Sequence, residues 1–217
     1  MRCAHFSTHH IIYPWRGSAA PGIYNRTMTK PVLIIVNGLP GTGKTTLAKR
    51  LAADLPLPVF SRDGLYETMY DALKRQGNAD PTSAAPAMYT LLYYIAGTIL
   101  AAGQSLIVEG FFGRPRLRTA EFLQLQRTSD FEPLQILCRA DGKALLERFY
   151  ARMGSGERHA GHQDSEWIEQ NQERLLQGNL TPLALDGQLI EIDTTTPHSF
   201  DYADLLRQVH AALNRLR

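Results

Sequence analysis

The stretch that most narrows what this chain can fold into is VLIIVNGLPGTGKTT, from Val32 to Thr46. Val32 to Val36 is apolar, rich in β-branched side chains and too short for a typical helix, so it reads as a strand buried on both faces. From Thr45 onward the spacing of Leu47, Leu51 and Leu55, with Ala48 and Ala52 beside them, turns helical. Between strand and helix lies a loop of Gly38, Leu39, Pro40, Gly41, Thr42, Gly43, Lys44, Thr45 and Thr46. Its Gly38, Gly43, Lys44 and Thr45 match G-x-x-x-x-G-K-[ST] in the strand-loop-helix setting that the motif requires. Glycines let consecutive backbone N–H groups point at a β-phosphate, and the helix N-terminus adds a favourable dipole. Lys44 is expected to reach the β- and γ-phosphates, and the Thr45 hydroxyl to hold Mg2+.

The rest of the chain alternates strand and helix signals. Short apolar runs at Pro58 to Ser61, Ser105 to Val108, Leu134 to Cys138 and Leu189 to Ile192 read as strands. Helical patterns cover Leu65 to Arg75, Ala87 to Ala102, Arg116 to Gln126, Lys143 to Met153, Ser165 to Gln177 and Tyr202 to Leu216, with Asp141 as an N-cap. Asn78 to Ala85 and Ser155 to Gln163 read as loops. Five strands joined by helices imply a parallel sheet with right-handed crossovers. The expected class is therefore α/β, a three-layer P-loop NTPase fold with a parallel five-stranded sheet, helices on both faces and a small helical lid at about 148–165. Functional groups should gather at the carboxyl ends of the strands.

With 217 residues the chain suffices for one well-buried domain, expected over residues 28–217. A formal charge of +2 gives no broad nucleic-acid footprint. Two cysteines, Cys3 and Cys138, fit a reducing cytoplasm, with Cys138 a small core residue. Residues 1–27 carry Arg2, Arg16 and Arg26, two prolines and no acid. Such a leader resembles a transit peptide, but with Met28 just before the first strand the plainer reading is an untethered or over-extended start. The uncharged stretch from Pro81 to Val108 has the length of a membrane span. Pro86 and Gly103 cut it into a helix of about 24 Å and a strand, so it reads as core instead. Within that helix Met88, Leu91, Leu92, Ile95, Ile99 and Ala102 form the expected buried stripe, and Thr90, Tyr94, Thr98 and Ala101 lie off it.

Candidate chemistry sits where strands end. Asp63 follows the second strand and is placed to accept a proton from an attacking hydroxyl, or to cap the next helix. Glu109 ends the third strand in the place of a Walker-B acid, expected to hold Mg2+ directly or through water, or to serve as base. Arg114, Arg116 and Arg118 follow it and could grip an anionic acceptor or be plain surface charge. Arg148 and Arg152 share one helix face, with Arg158 and His159 in the following loop. Arginines closing over a phosphoryl group in flight would neutralise its charge and exclude water. His159, His162 and Asp164 make a weak metal pattern without a fourth ligand.

With these residues in hand, the chain resembles P-loop kinases of the adenylate-kinase-like group. It looks closest to kinases often labelled AAA-family ATPases, which are similar to zeta-toxin-like kinases, chloramphenicol phosphotransferase and polynucleotide 5′-hydroxyl kinases. The likeness spans about residues 31–195, through GLPGTGKTTLA, SRDGL, AAGQSLIVEGFF and RFYARMGSGERHAGHQD in family order. It implies the P-loop strand at the sheet centre, Asp63 as general base or hydroxyl ligand, Arg152 and Arg158 in the lid, and adenine near Asp193 to Pro197. EGFFGR differs from the Asp-Gly-Phe-Pro-Arg of nucleoside monophosphate kinases, and Ser61-Arg62-Asp63 from their Ser-Thr-Gly-Asp. No Asn-Lys-x-Asp guanine signature occurs, and too little chain follows the last strand for the helical domain of a mechanical ATPase.

The expected activity is a kinase using ATP and Mg2+ to phosphorylate a hydroxyl of a small molecule. Lys44, Asp63, Arg152 and Arg158 would be catalytic, with Thr45 and Glu109 on the metal. The alternatives are a regulatory ATPase and a nucleoside or polynucleotide 5′-hydroxyl kinase. A cytoplasmic monomer or homodimer, with no membrane or nucleic-acid partner, completes the expectation. Its acceptor pocket would be lined by the 87–102 helix and by Tyr66, Tyr70 and Phe111-Phe112, a surface with no signature for one compound.

Overall fold

The computed structural model describes residues 30–77, 80–156 and 158–215; the leader and the final two residues lie outside it. β1 (Val32–Gly38) is buried along its whole length, and its pleat sends alternate side chains to two different cores. Val32, Ile34 and Val36 meet Leu47, Leu51 and Leu55 around α1 (Lys44–Asp54), together with Leu205 and Val209 of α7 (Tyr202–Asn214). Leu33 and Ile35 meet Leu92 and Ala96 of α3 (Ala87–Ala101) and Phe122 of α4 (Pro115–Thr128), with Phe112 and Phe131. A strand covered on both faces must read as a continuous apolar run, and each fully buried aliphatic side chain contributes about 1.5–3 kcal/mol.

All pairings in the sheet are parallel, in the order β2 (Val59–Ser61), β3 (Leu106–Gly110), β1, β4 (Glu132–Arg139), β5 (Gln188–Asp193). The P-loop strand is central, as expected, and the order reverses beside it. That reversal opens a crevice at the carboxyl ends of β1 and β3. A third core of Leu39, Leu137, Leu145, Phe149, Ile168 and Leu175 seats α5 (Gly142–Gly154) and α6 (Asp164–Leu176) on the end of β4. Phe149 and Trp167 stack within it at 5.3 Å. The chain connecting these two helices is the expected lid segment.

Three local readings change. α2 spans Arg62–Arg75, and Ser61, whose hydroxyl accepts from the Gly64 N–H, is its N-cap. Asp63 therefore sits inside the first turn, because the shorter Ser side chain at the strand end already satisfies the cap. The buried face of α3 is Met88, Leu92, Tyr93, Ala96 and Leu100, turned by about one position from the expected stripe, while Ala102 is exposed. Tyr93 explains the turn: its ring packs edge-on against Phe122 and its hydroxyl donates to Glu121, so an aromatic with a polar tip is buried in preference to Leu91 or Ile95. The Asn78 to Ala85 loop contains a short 3-10 turn at Pro81–Ala84. The helix itself ends as expected, on Gly103 with φ 74°, and no helix among the described residues is long and apolar enough to cross a membrane.

Candidate active site

The loop after β1 is compact because its residues bond to one another. Thr42 is buried, and both its N–H and its hydroxyl donate to the Leu39 carbonyl. Gly41 and Gly43 take φ of 87° and 73°, in the left-handed region. At Gly38 a Cβ would lie 2.6 Å from Thr42 Oγ1 and 2.7 Å from the Cys138 carbonyl oxygen, so only glycine fits. Asn37 fastens this loop to the one following β3. Its side-chain oxygen accepts from both Gly38 N–H at 2.8 Å and Phe112 N–H at 3.0 Å.

Lys44 is 7% exposed and lies 3.6 Å from Oε1 of Glu109, which is 2% exposed on β3. The other carboxylate oxygen of Glu109 is buried with no hydrogen-bond partner. Thr45, Ser61, Gly64 and Glu109 line one cleft of about 280 Å³ between α1, β2 and α2. A hydroxyl and an uncommitted carboxylate oxygen on one cleft form a hard-oxygen donor set that fits a divalent cation of the Mg2+ type.

Asp63, in the first turn of α2, is coupled electrostatically to the same lysine. Burial works against its charge, but Lys44, the Arg62 guanidinium at 3.1 Å and His162 together hold its carboxyl below the ordinary carboxylate value. Arg62 is itself fixed, donating to the Ala85 carbonyl at 2.9 Å. From the third side come the arginines. Burial, with Arg158 beside it, lowers the Arg152 pKa against the opposing pull of Asp164, Asp63 and Glu67, so Arg152 belongs to the same electrostatic cluster. Its Nε and Nη2 are buried without hydrogen-bond partners, Nη2 standing 3.8 Å from Asp164. Arg158 is held by Asp164 through two bonds, 2.8 and 3.0 Å.

Other candidates go elsewhere. Arg148 spends its guanidinium on the carbonyls of Gly41, Thr194 and Thr195, tying the phosphate loop to the turn after β5. Arg114 and Arg116 are exposed, whereas Arg118 is 2.6 Å from Glu121 and lies 3.3 Å over the Tyr89 ring. His159 and His162 point to Asp71 and Glu67, not to a shared ion, and no group of three or more His, Cys, Asp or Glu among the described residues could hold a metal. Tyr66 and Phe112 are buried, Tyr70 and Phe111 are half-buried, and the Tyr89 hydroxyl donates to the Phe111 carbonyl. The Asn37 and Arg148 clamps were missed from sequence. A polar residue ending an otherwise apolar strand was the available signal for Asn37.

The sequence model of the AAA domain family matches residues 33–175, which hold the phosphate loop, Asp63, Glu109, Arg152 and Arg158. The chain belongs to this AAA domain family. Among solved structures, a candidate kinase from Chloroflexus aurantiacus is 36% identical to this AAA domain, with a TM-score of 0.74, covering 88% of this chain and 100% of that one. A sugar kinase from Janibacter sp. HTCC2649, 18% identical with a TM-score of 0.51 over 86% of this chain and 95% of that one, shares the fold. Uncharacterized proteins of Mycobacterium tuberculosis and Mycobacterium bovis are 27% identical over 129 residues, which is 56% of this chain and 26% of theirs. The chain thus spans about a quarter of the length of the curated relatives it matches.

Proposed function

We propose that this AAA domain is an ATP- and Mg2+-dependent kinase that transfers the γ-phosphoryl group to a hydroxyl of a small molecule. The observation that supports the reading is Asp63, a carboxylate in the first turn of α2 within the field of the phosphate-loop lysine. A domain that only hydrolyses or senses nucleotide has no need of it. The matching candidate kinase from Chloroflexus aurantiacus supports the same class.

In this reading the loop amides and Lys44 hold the phosphates, and Thr45 and Glu109 would hold Mg2+, which would supply positive charge against the phosphate oxygens. The acceptor hydroxyl hydrogen-bonds to Asp63. As its oxygen bonds to the γ-phosphorus and the bridging P–O bond to ADP breaks, its proton passes to Asp63. A depressed pKa makes Asp63 a weak base but keeps it ionised, which suits a loose transition state in which the proton leaves late. Arg152 and Arg158 close over the equatorial oxygens as the lid of about 148–165, releasing Asp164.

Transfer from γ-labelled ATP across nucleosides, sugar nucleotides, sugars, aminoglycoside and phenicol antibiotics and 5′-hydroxyl oligonucleotides tests this. Label should appear on one acceptor and fall by about 100-fold or more in Asp63→Asn, with nucleotide binding retained. Label released only as free phosphate, at a rate indifferent to Asp63, would replace the kinase with a regulatory ATPase.

A further inference from the structure

His159 and His162 each face a carboxylate of α2 rather than a shared ion. Resting on the kinase reading above, we infer that Glu67 and Asp71 of α2 are positioning residues for phosphoryl transfer, which latch the lid loop through His162 and His159 and so set the lid arginines against Asp63.

Asp63, Glu67 and Asp71 recur every four residues and share one face of α2, with about 6 Å of rise between successive carboxylates. The first is paired with Arg62 at 3.1 Å and lies within the field of Lys44. The second lies 2.8 Å from His162 Nε2, and the third 3.0 Å from His159 Nε2. Beside them Tyr66 donates to the Gly161 carbonyl at 2.7 Å, and the Tyr70 ring meets His159 edge-on at 5.4 Å. One helix face therefore carries the acceptor carboxylate in its first turn and the lid's anchors in the next two. The anchored loop contains Arg158 and runs into Asp164, which holds Arg158 and stands 3.8 Å from Arg152, so its seat on α2 bears on both guanidiniums.

The partners also assign the His159 tautomer. Its Nδ1 accepts from the Gly161 N–H at 3.1 Å, so in the neutral ring Nε2 carries the proton and donates to Asp71. An uncharged acceptor of the same shape can therefore replace this carboxylate. Gly161 permits the close approach, since a Cβ there would stand 2.8 Å from Cδ2 of Tyr70.

Amide exchange over residues 158–163 and steady-state kinetics, both on the full chain, test the latch. Glu67→Ala with Asp71→Ala should raise exchange in that loop roughly three- to tenfold while leaving β1 and β4 protected. With the best acceptor kcat should fall roughly tenfold while the KM for ATP stays within about twofold. Glu67→Gln with Asp71→Asn should restore most of both, and Gly161→Ala, made from the lid side, should reproduce the loss. Loop exchange unchanged in both the double alanine variant and Gly161→Ala overturns the latch, even where transfer is intact. Loop exchange that responds while the unaltered chain transfers phosphate to no acceptor overturns the kinase reading and leaves the anchoring contacts standing.

Discussion

At the residue scale, the Lys44–Glu109 pair is a buried contact that leaves one of its own atoms unsatisfied. Lys44 has its ion-pair partner at 3.6 Å, yet Glu109 keeps one buried oxygen uncommitted. Burying that carboxylate costs more than one contact returns, so the arrangement makes sense once a cation takes up the remaining charge. Glu109→Gln should therefore raise the Mg2+ concentration needed for half-maximal transfer, measured by metal titration. Lys44→Ala should lower kcat by about 100-fold or more. The pH response follows from Asp63. Because its folded-state pKa is lowered, both its ionised form and the stability it contributes persist above the ordinary carboxylate value of about 3.9 and are lost as pH falls below it. The acid limb that Asp63 imposes on the transfer rate should then lie below about pH 4, and a limb near neutrality that vanishes in Asp63→Asn would contradict the assignment.

Among the elements, α5 and α6 hold Arg152 and Asp164 and flank Arg158, and two glycines set how closely they approach each other and the end of β4. A Cβ on Gly142 would sit 2.0 Å from the Leu176 carbonyl oxygen, where the start of α5 crosses the end of α6. Gly178 takes φ 74°, and its carbonyl accepts from Ala140 N–H at 3.0 Å. Gly142→Ala cannot be absorbed by a side-chain rotation, since the obstacle is backbone. It should destabilise the protein by about 1–3 kcal/mol in denaturant titration. It should also weaken phosphoryl transfer through displaced lid arginines. Gly43→Ala meets no neighbour within 4 Å but must hold φ 73°, so its cost is conformational.

For the molecule as a whole, the parallel sheet joins groups from all along the chain at one crevice, so ligand binding should be felt globally. Lys44, Asp63, Glu109 and Arg152 come from four different elements packed on three cores around one sheet. With Mg2+ and ATP at about 100 times the dissociation constant, the folded state should gain about 2.7 kcal/mol. For a chain of this size that corresponds to a rise in melting temperature of roughly 5–10 °C. Lys44→Ala should remove most of that rise in a thermal-shift measurement, and an equal rise in the variant would place the nucleotide elsewhere.

The sequence by itself determined the strand-loop-helix around Gly38 to Thr46, the five parallel strands, the Asp141 cap and the places of Asp63 and Glu109 at strand ends. These are short-range patterns of periodicity, glycine and polar punctuation, which survive without knowledge of partners. Where several residues competed for one task, only the tertiary structure decided. Ser61 rather than Asp63 caps α2, Tyr93 rather than Leu91 turns inward, and Arg148 is taken up by backbone carbonyls while two buried nitrogens of Arg152 keep no hydrogen-bond partner. His159 and His162 were legible as a polar loop but not as anchors, because Asp71 and Glu67 lie 88 and 95 residues away. Side-chain pairing across such separations depends on which faces the packed helices bring together, and no local pattern encodes that.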